Sequence, residues 1–172
     1  MSLEIFAGPK TQNLRTPSVI FRELERRFGR GCFHIDVAAD AENALCPHYF
    51  SAERSALDPN HRWSLEDALL RPGEAGWRLV SSISAFGNPP FGNVHPFVTR
   101  AVAARDRYEV EVAVLLVPAR VDKSWWHFAR KHGRIHEIEG RVAYIDPETN
   151  KPLESPFEAS AVLVFDQPLR WV

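Results

Sequence analysis

Cysteine, long apolar runs and any excess of charge are all scarce in this chain, and each scarcity closes off a class of function. Its 172 residues carry 21 Lys+Arg against 22 Asp+Glu, a formal net charge of −1, which excludes a broadly basic nucleic-acid binder. The two cysteines, Cys32 and Cys46, lack metal-ligand spacing and read as reduced structural thiols of a cytoplasmic protein. No stretch approaches the ~18 consecutive apolar residues of a membrane helix. The opening residues MSLEIFAGPK lack the charged head and apolar core of a secretory signal. A cytoplasmic location without a membrane partner is therefore expected. None of the seven histidines pairs with cysteine at zinc-finger spacing, and Gly133 interrupts the helix that would align His132 with His136, so no metal site is expected. There is no Gly-x-Ser-x-Gly elbow and no Gly-Lys-Ser/Thr phosphate loop. What is present is balanced: 45% hydrophobic and 25% charged residues, the composition of a globular protein. Residues 1–172 are of a length suited to a single domain around one core.

Local patterns alternate between helix and strand. Thr16-Pro17 opens an expected helix to about Phe28, with threonine as cap, proline at the first helical position, and Val19, Ile20, Leu24 and Phe28 on its apolar face. Phe33 to Ala39 reads as a strand, and Ala41 to Asp58 as irregular chain with a short strand at Tyr49-Phe50. Trp63 to Leu70 reads as a helical turn or loop, broken by Arg71-Pro72-Gly73. Strands are expected at Leu79 to Phe86 and Val110 to Val117, and helices at Pro96 to Arg107 and Lys123 to His132. Gly140 to Tyr144 and Ala159 to Phe165 read as two further strands flanking a polar turn at Asp146 to Lys151. The alternation predicts a Rossmann-like α/β fold, with a mostly parallel sheet and helices on both faces. The last two strands, with no helix between them, predict an antiparallel C-terminal hairpin.

The densest chemical signal is Asn88-Pro89-Pro90-Phe91, directly after an expected buried strand. Asn88 supplies a side-chain carbonyl acceptor, and the Pro89 carbonyl is a second. The two prolines stiffen the turn, so both oxygens converge on a small target such as an exocyclic –NH2 group, whose nitrogen they would make more nucleophilic. Phe91 adds a flat face for a planar base. The plainer alternative is a turn with an aromatic plug, but a loop at the carboxyl end of a strand is where open α/β sheets bind ligands. The chemistry is that of amine methylation. Two basic groups, Arg15, Arg22, Arg26, Arg27 and Arg30, then Arg120, Lys123, Arg130, Lys131, Arg134 and Arg141, suit either solvated helix faces or phosphate tracking.

Several pieces in order carry a resemblance: Thr16-Pro17, Phe33 to Ala39, Glu42-Asn43-Ala44, Tyr49-Phe50, Asn88 to Gly92, Leu116 to Arg120, Trp125-Trp126, Gly140-Arg141-Val142 and Ser160 to Phe165. Together, from about Thr16 to Phe165, they resemble the phage-type Dam family of DNA N6-adenine methyltransferases. That resemblance implies a class I methyltransferase fold, S-adenosylmethionine as methyl donor, double-stranded DNA as partner, no metal, and a phage or prophage source in a bacterial cell. It implies that Asn88 and Pro89 accept hydrogen bonds from the adenine amino group, that Pro90 stiffens the loop, and that Phe91 stacks on a base flipped from the duplex.

For the donor, a place at the end of the first strand suits Asp36 to the amino group of the methionine moiety, or else to a helix cap or surface acid. Ala38 lies in the loop beside it. The resemblance implies Thr16 and Pro17 near the carboxylate, though they equally make a helix start. Asp58, after Leu57 and before Trp63, suits a contact to the adenine ring. Asn43 and Phe50 suit pocket lining, or else a loop asparagine and a core aromatic. The loop Asp36 to Asp40 has alanines where many methyltransferases carry glycines. Trp125-Trp126 is expected to put one ring inward and one at the surface. A monomer or weak homodimer is expected. Two other readings stay open: methyl transfer to another amine (cytosine N4, an RNA base or glutamine), and a non-catalytic DNA-binding relative.

Overall fold

In the computed structural model, residues 14–76, 80–154 and 158–167 are described. Among these described residues, three helices and seven strands follow in chain order: α1 (Ser18–Phe28), β1 (Ile35–Asp36), β2 (His48–Tyr49), β3 (Leu69–Leu70), β4 (Ser84–Gly87), α2 (Val94–Asp106), β5 (Val112–Pro118), α3 (Ser124–His132), β6 (Arg134–Glu137) and β7 (Ser160–Asp166). The strands form one sheet in the order β3-β2-β1-β4-β5-β7-β6. Its centre, β2-β1-β4-β5, is parallel, and β3, β7 and β6 are added antiparallel at the two sides. This is the expected Rossmann-like α/β architecture.

Alternation along the central strands explains why both faces are covered. On β5, Ala113, Leu115 and Val117 face one apolar cluster, together with Ala161, Leu163 and Phe165 of β7. Helices α2 and α3 cover that face with Val98, Ala101, Val102, Trp126 and Ala129. The intervening residues Val112, Val114 and Leu116 face a second cluster with Val162 and Val164 of β7, covered by Phe21 and Leu24 of α1. Period-two side-chain direction thus turns one apolar run into two interfaces. Ala101 and Ala104, both fully buried, let α2 approach the sheet closely.

Several local expectations are corrected. Helix α1 begins at Ser18, with Pro17 rather than Thr16 at the N-cap (φ −60, ψ 137). The extended ψ leaves the Pro17 carbonyl to accept from the Phe21 N–H at 3.0 Å. Val19 is 75% exposed, and Phe21 takes the core position it was expected to fill. The helix ends with Arg26 and Arg27 in its last turn, where cations complement the helix dipole. The segment expected to be a helical turn or loop, Trp63 to Leu70, supplies the edge strand β3 at its end. Trp125 and Trp126 are both buried, edge to face at 5.8 Å. Leu79, the expected start of the strand before Asn88, lies outside the described residues, as does Trp77.

The C-terminal hairpin exists, but its first strand is β6 at Arg134–Glu137, not Gly140 to Tyr144. Gly140, at φ +78, turns the chain away from the sheet edge, a conformation glycine adopts without steric cost. The diverted segment crosses the face of the second cluster. There Val142 and Tyr144 are buried, and Ile145 exchanges backbone hydrogen bonds with Arg15 at 3.0 and 2.9 Å. The polar turn expected at Asp146 to Lys151 is present, closed by the Asp146 N–H on the Lys151 carbonyl at 2.9 Å.

Candidate active site

From β1 the chain goes outward to β2 on one side, and β4 then pairs with the other side of β1. Loops leaving the carboxyl ends of strands diverge at such a switch point and open a crevice there. A cleft of about 370 Å³ occupies this place. It is lined by Val37, Ala38, Ala39, Asp40 and Asn43 after β1, by Phe50 to Ala52 and Ser55 to Leu57 after β2, and by Asn88, Pro90 and Asn93 after β4. Leu14 and Phe97 complete it.

Asn88 is the best-defined group in the cleft. Its side-chain Nδ2 donates to the Leu14 carbonyl at 2.9 Å. The amide is therefore oriented, since the opposite flip would set two oxygens against each other. Its Oδ1 is buried and has no hydrogen-bond partner. An unsatisfied buried acceptor costs about 1–3 kcal/mol, and such a cost at a cleft is what a missing donor ligand would relieve. One residue earlier, a Cβ on Gly87 would lie 2.6 Å from Val37 Cγ2 and 3.1 Å from Leu115 Cδ2. Only glycine lets β4 pass this close to the first loop.

The other expected loop residues divide. Pro90 lines the cleft, and its carbonyl accepts from the Asn93 N–H at 2.8 Å. Pro89 is buried beneath the rim. Phe91, expected to offer a ring face to a base, is instead buried in the second cluster, edge to face with Tyr144 at 5.3 Å. The diverted segment that carries Tyr144 makes the apolar socket that draws the ring inward. Arg120 Nη1 donates to the Phe91 carbonyl at 2.8 Å.

Of the expected donor residues, Ala38 lines the cleft, while Asp36, Thr16, Pro17 and Asp58 do not. Asp36 is buried and accepts from the backbone N–H groups of Ala38 at 3.2 Å and Leu45 at 3.3 Å. Burial pushes its carboxyl up to about 6. It therefore shapes the loop from beneath. Thr16 is buried just before α1, and it is Leu14 that reaches the cleft. Asp58 caps its own turn, accepting from the Asn60 N–H at 2.8 Å and side chain at 2.9 Å, which holds its carboxyl below the usual range. Its neighbour Leu57 lines the cleft in its place.

Asn43 lines the wall, while Phe50, fully buried in the first cluster, is the core aromatic that backs it. Asp40 was missed. It is an exposed carboxylate at the cleft, held by the Glu42 and Asn43 N–H groups at 2.8 and 2.9 Å and by Asn43 Nδ2 at 3.0 Å. The spacing Asp40-x-x-Asn43 is the signal that would have found it, a reciprocal turn that fixes a carboxylate. Ser51 and Ser55 add hydroxyls. The cleft thus offers one carboxylate, two hydroxyls, three amides and an apolar wall at Leu57, backed by buried Phe50 and Phe97. That set suits a ligand that combines a cationic group, hydroxyls and an apolar part.

The sequence matches the DNA N-6-adenine-methyltransferase (Dam) family over residues 8–171. The chain belongs to the Dam family. The match encloses every residue of the cleft. Among relatives of this Dam chain, the DNA N-6-adenine-methyltransferase of Escherichia phage T1 is 24% identical over 165 residues, covering 87% of this chain and 60% of the phage protein. The "Putative methyltransferase YfdM" of Escherichia coli (strain K12) is 38% identical over 77 residues, covering 45% of this chain and 68% of that protein. This Dam chain thus spans less than two thirds of the phage T1 relative. Cys32 and Cys46 are both free. Among the described residues no helix is long and apolar enough to cross a membrane.

Proposed function

We propose that this chain is an S-adenosylmethionine-dependent methyltransferase that modifies the N6 amino group of adenine in double-stranded DNA. One observation carries the reading: the buried, unpartnered Asn88 Oδ1, oriented by the Leu14 carbonyl, in a cleft at the sheet's switch point of a Dam-family chain. S-adenosylmethionine, when bound, supplies an electrophilic methyl group on a positively charged sulfur. In this chain, Asp40 suits the cationic amino-acid end, Ser51 and Ser55 the ribose, and Leu57 the adenine ring, with buried Phe50 and Phe97 packed behind it. Ala38 lets the first loop lie flat along the cleft, and Asp36 holds that loop in place by its backbone. Thr16 and Pro17 act through Leu14, which they set at the rim, and Asp58 through Leu57.

The acceptor half belongs to Asn88 and the loop after it. An adenine amino nitrogen shares its lone pair with the ring and is a poor nucleophile. Asn88 Oδ1 accepts one amino hydrogen, and the Pro89 carbonyl accepts the other. Two such bonds draw the nitrogen toward a pyramidal geometry and free its lone pair. Pro90 keeps the two oxygens at a fixed separation, and buried Phe91 anchors the loop. The contribution is positioning and electrostatics made ready beforehand, and the adenine must leave the base stack to reach the cleft.

The test is transfer of labelled methyl from S-adenosylmethionine to unmethylated duplex DNA, with nucleoside analysis of the product. N6-methyladenine is the expected product. Label in N4-methylcytosine, RNA or protein, or no label at all with folded enzyme, would overturn the assignment. Asn88→Ala should lower kcat by about 10²–10³, the usual loss for one preorganised hydrogen-bonding group. Donor affinity should stay within about threefold. Equal losses in activity and donor affinity would contradict the division between the two halves.

A further inference from the structure

The loop that carries the two acceptors has an unusual weakness. Pro89 and Pro90 have no N–H, so the loop cannot be tied at those residues by its own donors. Its internal bond runs from the Asn93 N–H to the Pro90 carbonyl at 2.8 Å. Stiffness about φ does not fix which way the carbonyls point, and the chemistry proposed above depends on that direction. An external tie comes from Arg120, two residues beyond the end of β5, whose Nη1 donates to the Phe91 carbonyl at 2.8 Å.

Arg120 is itself held. Its Nε and Nη2 donate to the two oxygens of Glu158 at 2.9 and 2.6 Å, a two-pronged pairing. Glu158 stands just before β7, and the neighbouring Ala119 N–H donates to the Ala159 carbonyl at 2.8 Å. One planar guanidinium therefore joins the loop after β4, the end of β5 and the start of β7. Both side chains are about one-third exposed, at 32% each. A fork of fixed N–H directions can face a carboxylate with one edge and a carbonyl with another, which an ammonium point charge cannot reproduce.

We propose that Arg120, oriented by Glu158, is a positioning residue that fixes the Asn88–Phe91 loop in its acceptor geometry. The inference rests on the reading of that loop as the amine-binding half of the site. Because its prongs are occupied by Glu158 and Phe91, Arg120 acts on the loop and not on a DNA phosphate. The alternatives make different claims. A phosphate contact would raise the KM for DNA when lost, and an ordinary surface ion pair would change neither kcat nor loop order.

The experiment uses the full chain with Arg120→Lys, Arg120→Ala and Glu158→Gln, and Arg134→Lys as a control. Arg134 pairs with Asp166 at the far end of β7, at 2.6 Å. Two readouts are taken: steady-state methyl transfer to duplex DNA, and amide hydrogen exchange of Phe91, Gly92 and Asn93. Arg120→Lys should lower kcat about 10- to 100-fold, with KM for donor and DNA within about threefold. Glu158→Gln should lose less, and Arg134→Lys nothing. The Asn93 amide should exchange at least tenfold faster in both Arg120 variants. Should Arg120→Ala fail to fold, Arg120→Lys and Glu158→Gln still give both readouts. An unchanged kcat in Arg120→Lys, or a loss confined to KM for DNA, would overturn the proposal. If the wild type itself transfers no methyl group, the functional reading fails, and amide exchange still decides the tie. Unchanged exchange in Arg120→Lys would then overturn it.

Discussion

Two polar side chains at the carboxyl ends of neighbouring strands, Asn88 at the cleft and Asp36 buried beneath it, sit in different electrostatic situations. Asn88 keeps a free acceptor because its donor is spent on Leu14, 74 positions away in sequence. Asp36 has both oxygens turned to backbone N–H groups, yet the lack of water outweighs those bonds and raises its carboxyl from 3.8 to about 6. The sign of the consequence follows. A group that binds its proton more tightly when folded favours folding at low pH, fully below the unfolded value and less as pH rises through the folded one. From about pH 4 to about pH 6, Asp36 should therefore withdraw on the order of 2–3 kcal/mol of stability. Asp58 and exposed Asp122, whose carboxyls are held low by their neighbours, tilt the wild-type curve the other way. Comparison with Asp36→Asn cancels them. Across that window denaturant unfolding should show the wild type losing ground to the variant, with a constant difference above pH 7. A difference that is flat or reversed between pH 4 and 6 would remove the argument. Asn88 was legible because its chemistry lies in four consecutive residues. The Leu14 tie, the inward turn of Phe91 and the separation of Asp36 from the cleft each depend on contacts remote in sequence, and no local pattern encodes them.

At the scale of elements, the cleft exists because β4 and β1 run close enough for their trailing loops to meet. Gly87 is the point of closest approach. Its absent side chain makes room for Val37 Cγ2, a stiff β-branched group that also lines the cleft. In Gly87→Ala the methyl group must displace β4 or Val37. The expected cost is about 1–3 kcal/mol, that of overpacking a filled interior, read as a lower denaturant midpoint. Donor affinity should fall with it, since Val37 and the first loop move together. A variant with wild-type midpoint and affinity would show that the sheet yields there without cost. Buried β5 and helices α2 and α3 were readable from the sequence, because long apolar runs and helical spacing survive without tertiary help. The C-terminal hairpin was foreseen as a motif and misplaced in register. Arg134–Glu137 is mostly polar and only half-buried at the edge of the sheet, so it carries little strand signal. Val142 and Tyr144 are buried for a different reason, as a cover over the second cluster. Strands of two residues such as β1 and β2 are set by their neighbours more than by their own propensity.

The whole molecule is nearly neutral, and six of the eleven cations in its two basic groups are answered by a carboxylate at short range. In the first basic group Arg15, Arg26 and Arg30 face Glu42, Glu23 and Glu111, and in the second Arg120, Lys123 and Arg134 face Glu158, Asp122 and Asp166. A cation held by a carboxylate must exchange one anion for another to meet a phosphate, and gains little. The proposed partner, duplex DNA, should then be gripped through few phosphates, with affinity coming from the flipped base in the cleft. Each neutralised phosphate contributes about −0.9 to the slope of log K against log salt. Two to four contacts predict a slope of about −2 to −4, or about a 10- to 150-fold loss of affinity between 50 and 200 mM salt. Titration of the chain with labelled duplex over that range measures it. A slope steeper than about −6 would mean that the paired arginines are released to the backbone on binding, and that binding rests on charge and not on the cleft. A shallow slope, together with weakened binding when Asn88 is replaced by alanine, would locate the grip at the base.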